Sequence, residues 1–232
     1  MGISVVLLAA NEAENLAVLF PRIISALEMT GTAYEILLVD SAVPVDQTPQ
    51  ICSKYEKVRY LNQDSPFYSG AFRTGIQNAR EDHLLVLDAD GSHDPSIIPT
   101  LYAKSMEGYD LVIGSRYCRG GKTLDSQLSI GMSKLLNAIM RPIIGVKARD
   151  ISTSYRIYQT SQLKQITLTS KNYEILQEVI LRMKIVKKDF TIAEVPIVFN
   201  KRIYGESKRR LLPFIMKYGQ TLFAFIRIRM NK

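Results

Sequence analysis

Along the first half of the chain, short apolar runs alternate with segments whose apolar residues recur every three or four positions. Leu84, Leu85, Val86 and Leu87 form an unbroken run that ends at Asp88. Such a run, closed by turn residues, reads as a strand buried on both faces, as in a parallel sheet. Residues 3–10, 35–40, 58–61 and 109–114 have the same character. Helical patterns lie between them. Leu16, Leu19, Phe20, Ile23, Ile24 and Leu27 repeat at helical spacing up to Gly31. Asn11 is the expected N-cap, and Glu12 and Glu14 favour the positive end of the helix dipole. Residues 48–55, 70–79 and 95–107 complete the series, the last opened by Pro95. Strands alternating with helices over the first ~115 residues predict a right-handed βαβ series, hence an α/β fold with a mostly parallel sheet.

The second half is less regular. Residues 124–144 read as helical around Pro142, which predicts a break or kink. Residues 151–158 fit a short strand or turn, and 173–183 a helix. Residues 192–199 fit a strand that Pro196 places at a sheet edge. Residues 211–230 form a last, amphipathic helix. With no internal repeat, low-complexity tract or clear linker, 1–210 reads as one domain and 211–232 as a C-terminal amphipathic appendage.

Composition adds little to this picture, and charge adds more. The apolar fraction of 47% over 232 residues is ordinary for a soluble globular protein. The net charge of +8 points to polyanionic partners: nucleic acid, an anionic membrane surface or phosphorylated substrates. The excess sits late, at Lys187-Lys188, Lys201-Arg202, Lys208-Arg209-Arg210, Arg227 and Arg229. No nucleic-acid motif or interleaving of aromatic and basic residues accompanies it, so no nucleic-acid partner is expected. Cys52 and Cys118 lack metal-ligand spacing, and a reduced cytoplasmic setting is the simplest reading. Met1-Gly2-Ile3-Ser4 leads directly into a strand, so no signal peptide is expected. No apolar run reaches the ~18 residues that a membrane span needs.

The candidate chemistry lies at the strand ends. Asp88-Ala89-Asp90-Gly91-Ser92-His93 follows the central apolar run. Open α/β sheets bind ligands outside the carboxyl ends of their strands. Two hard oxygen ligands on a short turn suit Mg²⁺ or Mn²⁺ shared with a substrate's phosphates. An acidic turn capping the next helix fits the same residues. Glu12 follows the first strand and Asp40 ends the second, so these acids share one sheet edge. Without a Walker-type Gly-Lys loop, that set suits a nucleotide base, ribose and metal-bound diphosphate, while capping alone also accounts for Glu12 and Asp40. His93 either tunes the acidic loop or faces solvent or caps a helix. His83 reads as structural.

Several blocks occur in a telling order: Asn11-Glu12-Ala13-Glu14-Asn15-Leu16, Ile36-Leu37-Leu38-Val39-Asp40, Asp88-Ala89-Asp90, Gly114-Ser115-Arg116-Tyr117, Asp150 with Ser154-Tyr155-Arg156, and Arg202-Ile203-Tyr204-Gly205-Glu206-Ser207-Lys208. Together they resemble the family 2 glycosyltransferases of GT-A fold, and within these the polyprenyl-phosphate mannose synthases. The resemblance implies a Rossmann-like central sheet flanked by helices and a metal-dependent, inverting transfer of a hexose. The implied donor is GDP-mannose and the implied acceptor a polyprenyl or dolichyl phosphate, at the cytosolic face of a membrane. It implies that Glu12 and Asp40, with Val39, hold the base and ribose. Asp88 and Asp90, with Ala89, would hold the metal and diphosphate, and Ser92 would join the metal's shell. Arg116, Arg202 and Lys208 would meet the phosphates.

Three departures fall on the base side. Ala10 stands where relatives usually carry an aromatic, Ser41 where they carry a second acid, and Tyr68-Ser69-Gly70 where they read Gly-x-Gly. A UDP- or dTDP-sugar with a non-lipid acceptor, or a non-catalytic sugar-nucleotide binder, are the competing readings. The chain has no Trp, which removes the Gln-x-x-Arg-Trp motif of processive synthases and favours single transfer. For the last helix two roles stand open: packing on the domain, or lying in a lipid interface with its basic residues on headgroups.

Overall fold

The computed structural model describes residues 1–204 and 211–230, with side chains from 221 onward in the second segment. Gly205-Glu206-Ser207-Lys208, including the candidate Lys208, lies outside the described residues. In chain order the elements are β1 (Gly2–Leu8), α1 (Ala13–Glu28), β2 (Ala33–Asp40), α2 (Thr48–Cys52), β3 (Val58–Asn62), α3 (Phe67–Asn78) and β4 (His83–Asp88). There follow α4 (Ile98–Ser105), β5 (Leu111–Ser115), β6 (Lys122–Thr123), α5 (Gln127–Ile144), β7 (Arg156–Gln159), α6 (Thr160–Lys164) and α7 (Ile175–Val186). The series closes with β8 (Ile192–Pro196), β9 (Val198–Phe199) and α8 (Leu211–Met230).

Seven strands form one sheet in the order β3-β2-β1-β4-β7-β5-β8. All pairs are parallel except those of β7, which runs antiparallel to both β4 and β5. Strand order reverses between β1 and β4: the chain winds outward through β2 and β3, then returns to lay β4 on the other side of β1. The loops after β1 and β4 therefore diverge, and a crevice opens between them. The register sets Leu8 beside both Val39 and Asp88, so the three strand ends lie level.

Alternation along the strands divides the interior into two cores. Val5, Leu7, Leu85 and Leu87 pack with α1, α2 and α4. Val6, Leu37, Val39, Leu84 and Val86 pack with α3, α5, α6, α7 and α8. Val39 is thus wholly enclosed in the second core, which corrects the expectation that it touches a ligand.

Local expectations are corrected at several points. Asn11 does not cap α1; it sits at φ 65°, and Glu12 occupies the cap position without a side-chain cap bond. Asp46 takes over the task, its Oδ2 accepting from Ala13 N at 2.9 Å. Pro142 neither breaks nor ends α5 at once. It lies in the last turn, and the helix closes at Gly145 in the left-handed conformation. Arg229 of α8 donates to the carbonyls of Pro142 and Ile143, the groups that a helix end leaves unpaired. The segment read as a single strand at 192–199 divides at Ile197. β8 forms the sheet edge beside β5, and β9 pairs with β6 in a separate two-stranded ribbon. The helix read at 95–107 opens as a 3-10 turn, Pro95–Ile97.

α8 seats Phe225 in the second core, while Phe223, Ile226 and Met230 are exposed. Among the described residues no helix is long and apolar enough to cross a membrane.

α3 approaches β1 closely through Gly75: a Cβ there would lie 2.5 Å from Val6 Cγ1. Val6 is fully enclosed and cannot move aside freely. Gly75→Ala is expected to destabilise the domain by about 1–3 kcal/mol despite its better helix propensity. A urea-denaturation midpoint equal to or above that of the parent chain contradicts this packing.

Candidate active site

The crevice is a cleft of about 620 Å³, within the range of small-molecule sites. The turn after β4 forms its centre. Gly91 has φ +80°, and any Cβ on it would meet Ile203 at 2.5 Å, so glycine is required there for both conformation and space. The chain from Asn200 to Tyr204 lies across this turn as a strap. Asn200 N donates to Ser92 O at 2.9 Å, and Ile203 N to Asp90 O at 3.0 Å. Tyr204 N donates to Asn15 Oδ1 at 3.0 Å.

The strap delivers Arg202 to the acids. Its Nε donates to Asp90 Oδ2 at 2.8 Å, and its Nη2 to Glu12 Oε1 at 3.3 Å. Asp90 Oδ1 accepts from both Ser92 N (2.9 Å) and Ser92 Oγ (2.6 Å). Burial alone would raise the Asp90 pKa, but the Ser92 bonds and the Arg202 charge outweigh it and hold the carboxyl below its usual range. Burial works against the Arg202 charge too, and Asp90 with Glu12 overcomes it. Glu12 Oε2 accepts from Asn15 Nδ2 at 2.5 Å. Asp88 Oδ1 accepts from Ser154 Oγ at 2.9 Å. Among the described residues, the carboxylates of Glu12, Asp88 and Asp90 thus meet the Arg202 guanidinium around this turn.

No three His, Cys, Asp or Glu side chains converge as a closed metal cage among the described residues. The all-oxygen donor pair of Asp88 and Asp90 fits a hard divalent ion that completes its shell from substrate phosphates. Ser92, read as a metal-shell residue, donates its hydroxyl to Asp90. Ala89 lies on the cleft wall between the two acids.

Asp40 differs from its expected placement. It has no exposed surface and is not on the cleft wall. Its carboxylate accepts from Ser41 N at 2.7 Å and from the Tyr60 hydroxyl at 3.0 Å. Desolvation raises its pKa against those bonds. Leu8, Ala9, Ala10, Ser41 and Gln63 line that end of the cleft instead.

Arg116 reaches the cleft wall but is already paired. Nε and Nη2 grip both oxygens of Asp150 at 2.7 and 2.8 Å, and Nη2 also meets Ser152 Oγ at 2.8 Å. The loop carrying Asp150 is fixed through Ile151, whose N donates to Asn137 Oδ1 and whose carbonyl accepts from Arg156 and Gln177. Sequence reading did not assign roles to Asn15, Ser152, Asn137 or Gln177. Each also has a partner remote in the chain, Tyr204 for Asn15, Arg116 for Ser152 and Ile151 for Asn137 and Gln177, and no local period marks those contacts. Asp150 and Ser154 were visible only as members of an ordered motif.

His93 is neither solvent-facing nor a cap. It is buried, its Nδ1 accepting from Asp88 N at 3.1 Å and its ring packed on Tyr155 and Phe199. Burial lowers its pKa, so the imidazole is neutral. His83 is likewise buried, against Gln159 and the edge of Tyr102.

A doubly wound sheet with paired carboxylates at its switch point and a cationic strap across them defines an α/β domain of GT-A type. The chain belongs to glycosyl transferase family 2, whose family model matches residues 4–167. It is 33% identical over 237 residues to a dolichol-phosphate mannosyltransferase of Pyrococcus furiosus, covering 98% of this chain and 62% of that protein. It is 32% identical over 212 residues to a polyprenol monophosphomannose synthase of Mycolicibacterium smegmatis, covering 85% of this chain and 77% of the relative. Among solved structures, a glucosyl-3-phosphoglycerate synthase from Mycobacterium tuberculosis, in complex with Mn²⁺, UDP and phosphoglyceric acid, superposes with TM-score 0.72 at 18% identity. That match covers 98% of this chain and 78% of the other. A mannosyl-3-phosphoglycerate synthase from Rubrobacter xylanophilus gives TM-score 0.74 at 16% identity, covering 100% and 74%. At such identity the two structures share the fold alone.

Asp150→Asn leaves the buried Arg116 without its counter-charge and is expected to cost about 3–5 kcal/mol of stability near neutral pH. The Asp150 pKa is held below the usual range: burial raises it, but the Arg116 bonds outweigh that. A lowered folded-state pKa gives stability that is present above the unfolded value and is lost as pH falls through the folded one. The gap between parent and variant is therefore expected to hold down to the ordinary carboxylate range, to narrow as pH falls through it, and to be gone once pH lies below the folded value. Melting temperatures across a pH series check this, and a gap that closes between pH 7 and 5 contradicts it.

Proposed function

We propose that this domain transfers a hexose from a nucleoside-diphosphate sugar to a polyprenyl phosphate, with mannose from GDP-mannose as the first donor to test. The observation that carries the reading is the acid turn at the switch point, with Asp88 and Asp90 beside a cationic strap. The names of the two relatives support the acceptor class.

In this reading Asp88 and Asp90 hold Mg²⁺ or Mn²⁺, which neutralises the leaving diphosphate when bound. Glu12 fixes Arg202, and Arg202 with Lys208 meets phosphate oxygens. Arg116 borders the acceptor side through the guanidinium nitrogen left over from its pairing with Asp150. An oxygen of the lipid phosphate attacks the anomeric carbon as the bond from that carbon to the diphosphate oxygen breaks, inverting the centre in a single displacement. The attacking oxygen is already anionic, so the domain needs no strong general base, only in-line positioning. A neutral, buried His93 is consistent with that economy.

The acceptor's lipid chain needs an apolar surface. Leu128, Leu135 and Ile139 of α5 and Phe223, Ile226 and Met230 of α8 are exposed, and the two helices touch. With Lys134 and Arg227 exposed beside them, these faces suit an anionic bilayer surface, which supports reading the domain as peripheral at a cytosolic membrane face. One observation favours a second reading of the donor. Asp40 is enclosed and the base end is lined by small, neutral residues, which fits UDP- or dTDP-sugars as well as GDP-sugars.

A thermal-shift panel of GDP-, UDP- and dTDP-sugars with Mg²⁺ or Mn²⁺ identifies the donor by its rise in melting temperature. With that donor, transfer to a polyprenyl phosphate is expected, EDTA abolishes it, and added Mg²⁺ or Mn²⁺ restores it. Asp90→Ala is expected to lower turnover at least roughly 100-fold while the fold survives. Transfer to soluble acceptors alone, or full metal-dependent activity in Asp90→Ala, sinks the proposal.

A further inference from the structure

The cleft has a side chamber of about 10 Å³, room for one water-sized group. Tyr68, Asp88, Arg116 and Phe199 border both spaces, and His93 and Ser154 border the chamber. Two buried polar atoms of these wall residues, Tyr68 Oη and His93 Nε2, have no hydrogen-bond partner among the described residues. Buried polar atoms in native proteins are nearly always paired, so two orphans beside one small polar chamber mark a place for a ligand atom.

The chemistry of that atom follows from its neighbours. His93 Nδ1 accepts the Asp88 backbone N–H, which puts the ring proton on Nε2 and makes that nitrogen a fixed donor. The Tyr68 hydroxyl both donates and accepts. Its ring is held by Tyr173, with centroids 4.5 Å apart, and by Phe72 at 6.4 Å. A group that accepts one bond and exchanges another is a hydroxyl. A phosphate or carboxylate exceeds the space and meets the Asp88 carboxylate. A methyl group leaves both orphans unpaired.

Asp88 is the wall shared with the cleft, and in the reading given above it also serves the donor's diphosphate. The sugar is bonded directly to that diphosphate, so its ring hydroxyls are the ligand hydroxyls nearest the chamber. We propose that Tyr68 and His93 bind one hydroxyl of the transferred hexose and thereby help determine which sugar is used. The inference rests on the nucleotide-sugar reading, and ordered water is the other source of the same chemistry.

Tyr68→Phe removes only Oη and separates the two sources. The assay compares kcat/KM for GDP-mannose and its 2-, 3-, 4- and 6-deoxy analogues, or the same series on the base that the thermal-shift panel selects. The parent chain is expected to lose roughly 10- to 100-fold on one analogue. Tyr68→Phe is expected to lose a comparable factor on the full sugar and to treat that analogue as well as the parent does. A purely structural role for Tyr68 lowers all five substrates together. An analogue ranking unchanged by Tyr68→Phe assigns the chamber to water and overturns this inference alone. A chain that transfers from no nucleotide sugar overturns the nucleotide-sugar reading, and this inference with it.

Discussion

The carboxyl edge of the sheet depends on holding like charges together away from bulk water. Parallel pairing of β1 with β4 gives the fold its order, and the same pairing brings Glu12, Asp88 and Asp90 to adjacent strand ends. Close carboxylates in partly buried surroundings repel by several kcal/mol at an effective dielectric near 20. The chain answers with Arg202, which lies 112 residues beyond Asp90 in sequence. Around it stand hydrogen-bond donors from Ser92, Ser154 and Asn15. The strap bearing Arg202 is therefore part of the fold's electrostatics, tying the end of the domain to its first helix through Asn15 and Tyr204.

Much of the sheet was legible because its signal is local. Unbroken apolar runs at β1, β2, β4 and β5 are what a strand covered on both faces must look like, and the two cores explain why no polar face interrupts them. The insertion of antiparallel β7 between β4 and β5 was not legible, since nothing in four residues states their partner or direction. The division of 192–199 has the same origin. Residues on either side of Ile197 answer to different sheets, and periodicity cannot see a change of partner.

The candidate site was legible to the degree that its residues form contiguous motifs. The Asp88–Ser92 turn lies where the strand end required. Asp40 has the identical sequence signal, an acid closing a buried strand, yet Tyr60 from the neighbouring strand captures it and removes it from the cleft. A side chain's destination depends on what stands beside it, and for Asp40 that neighbour is 20 residues away.

The two arginines divide along the same line. Motif reading treats Arg116 and Arg202 alike, as cations awaiting phosphate. Arg116 is gripped bidentately by Asp150, which is fully enclosed and cannot be drawn off to another partner. Its charge is spent on the loop that carries Ser152 and Ser154. Arg202 leans on Asp90 and Glu12 at the edge of the cleft, and Asp90 is a residue that a divalent cation competes for in the proposed reading. In that reading a cation taking up the charge of Asp90 would weaken one of the anions that hold Arg202, while Glu12 would still hold the guanidinium at the edge of the cleft. Cation and guanidinium would then face the same anion, each raising the site's preference for a diphosphate that meets both. In the proposed reading, the pairing of Asp90 with an arginine thereby becomes a reason for metal and diphosphate to bind together rather than either alone.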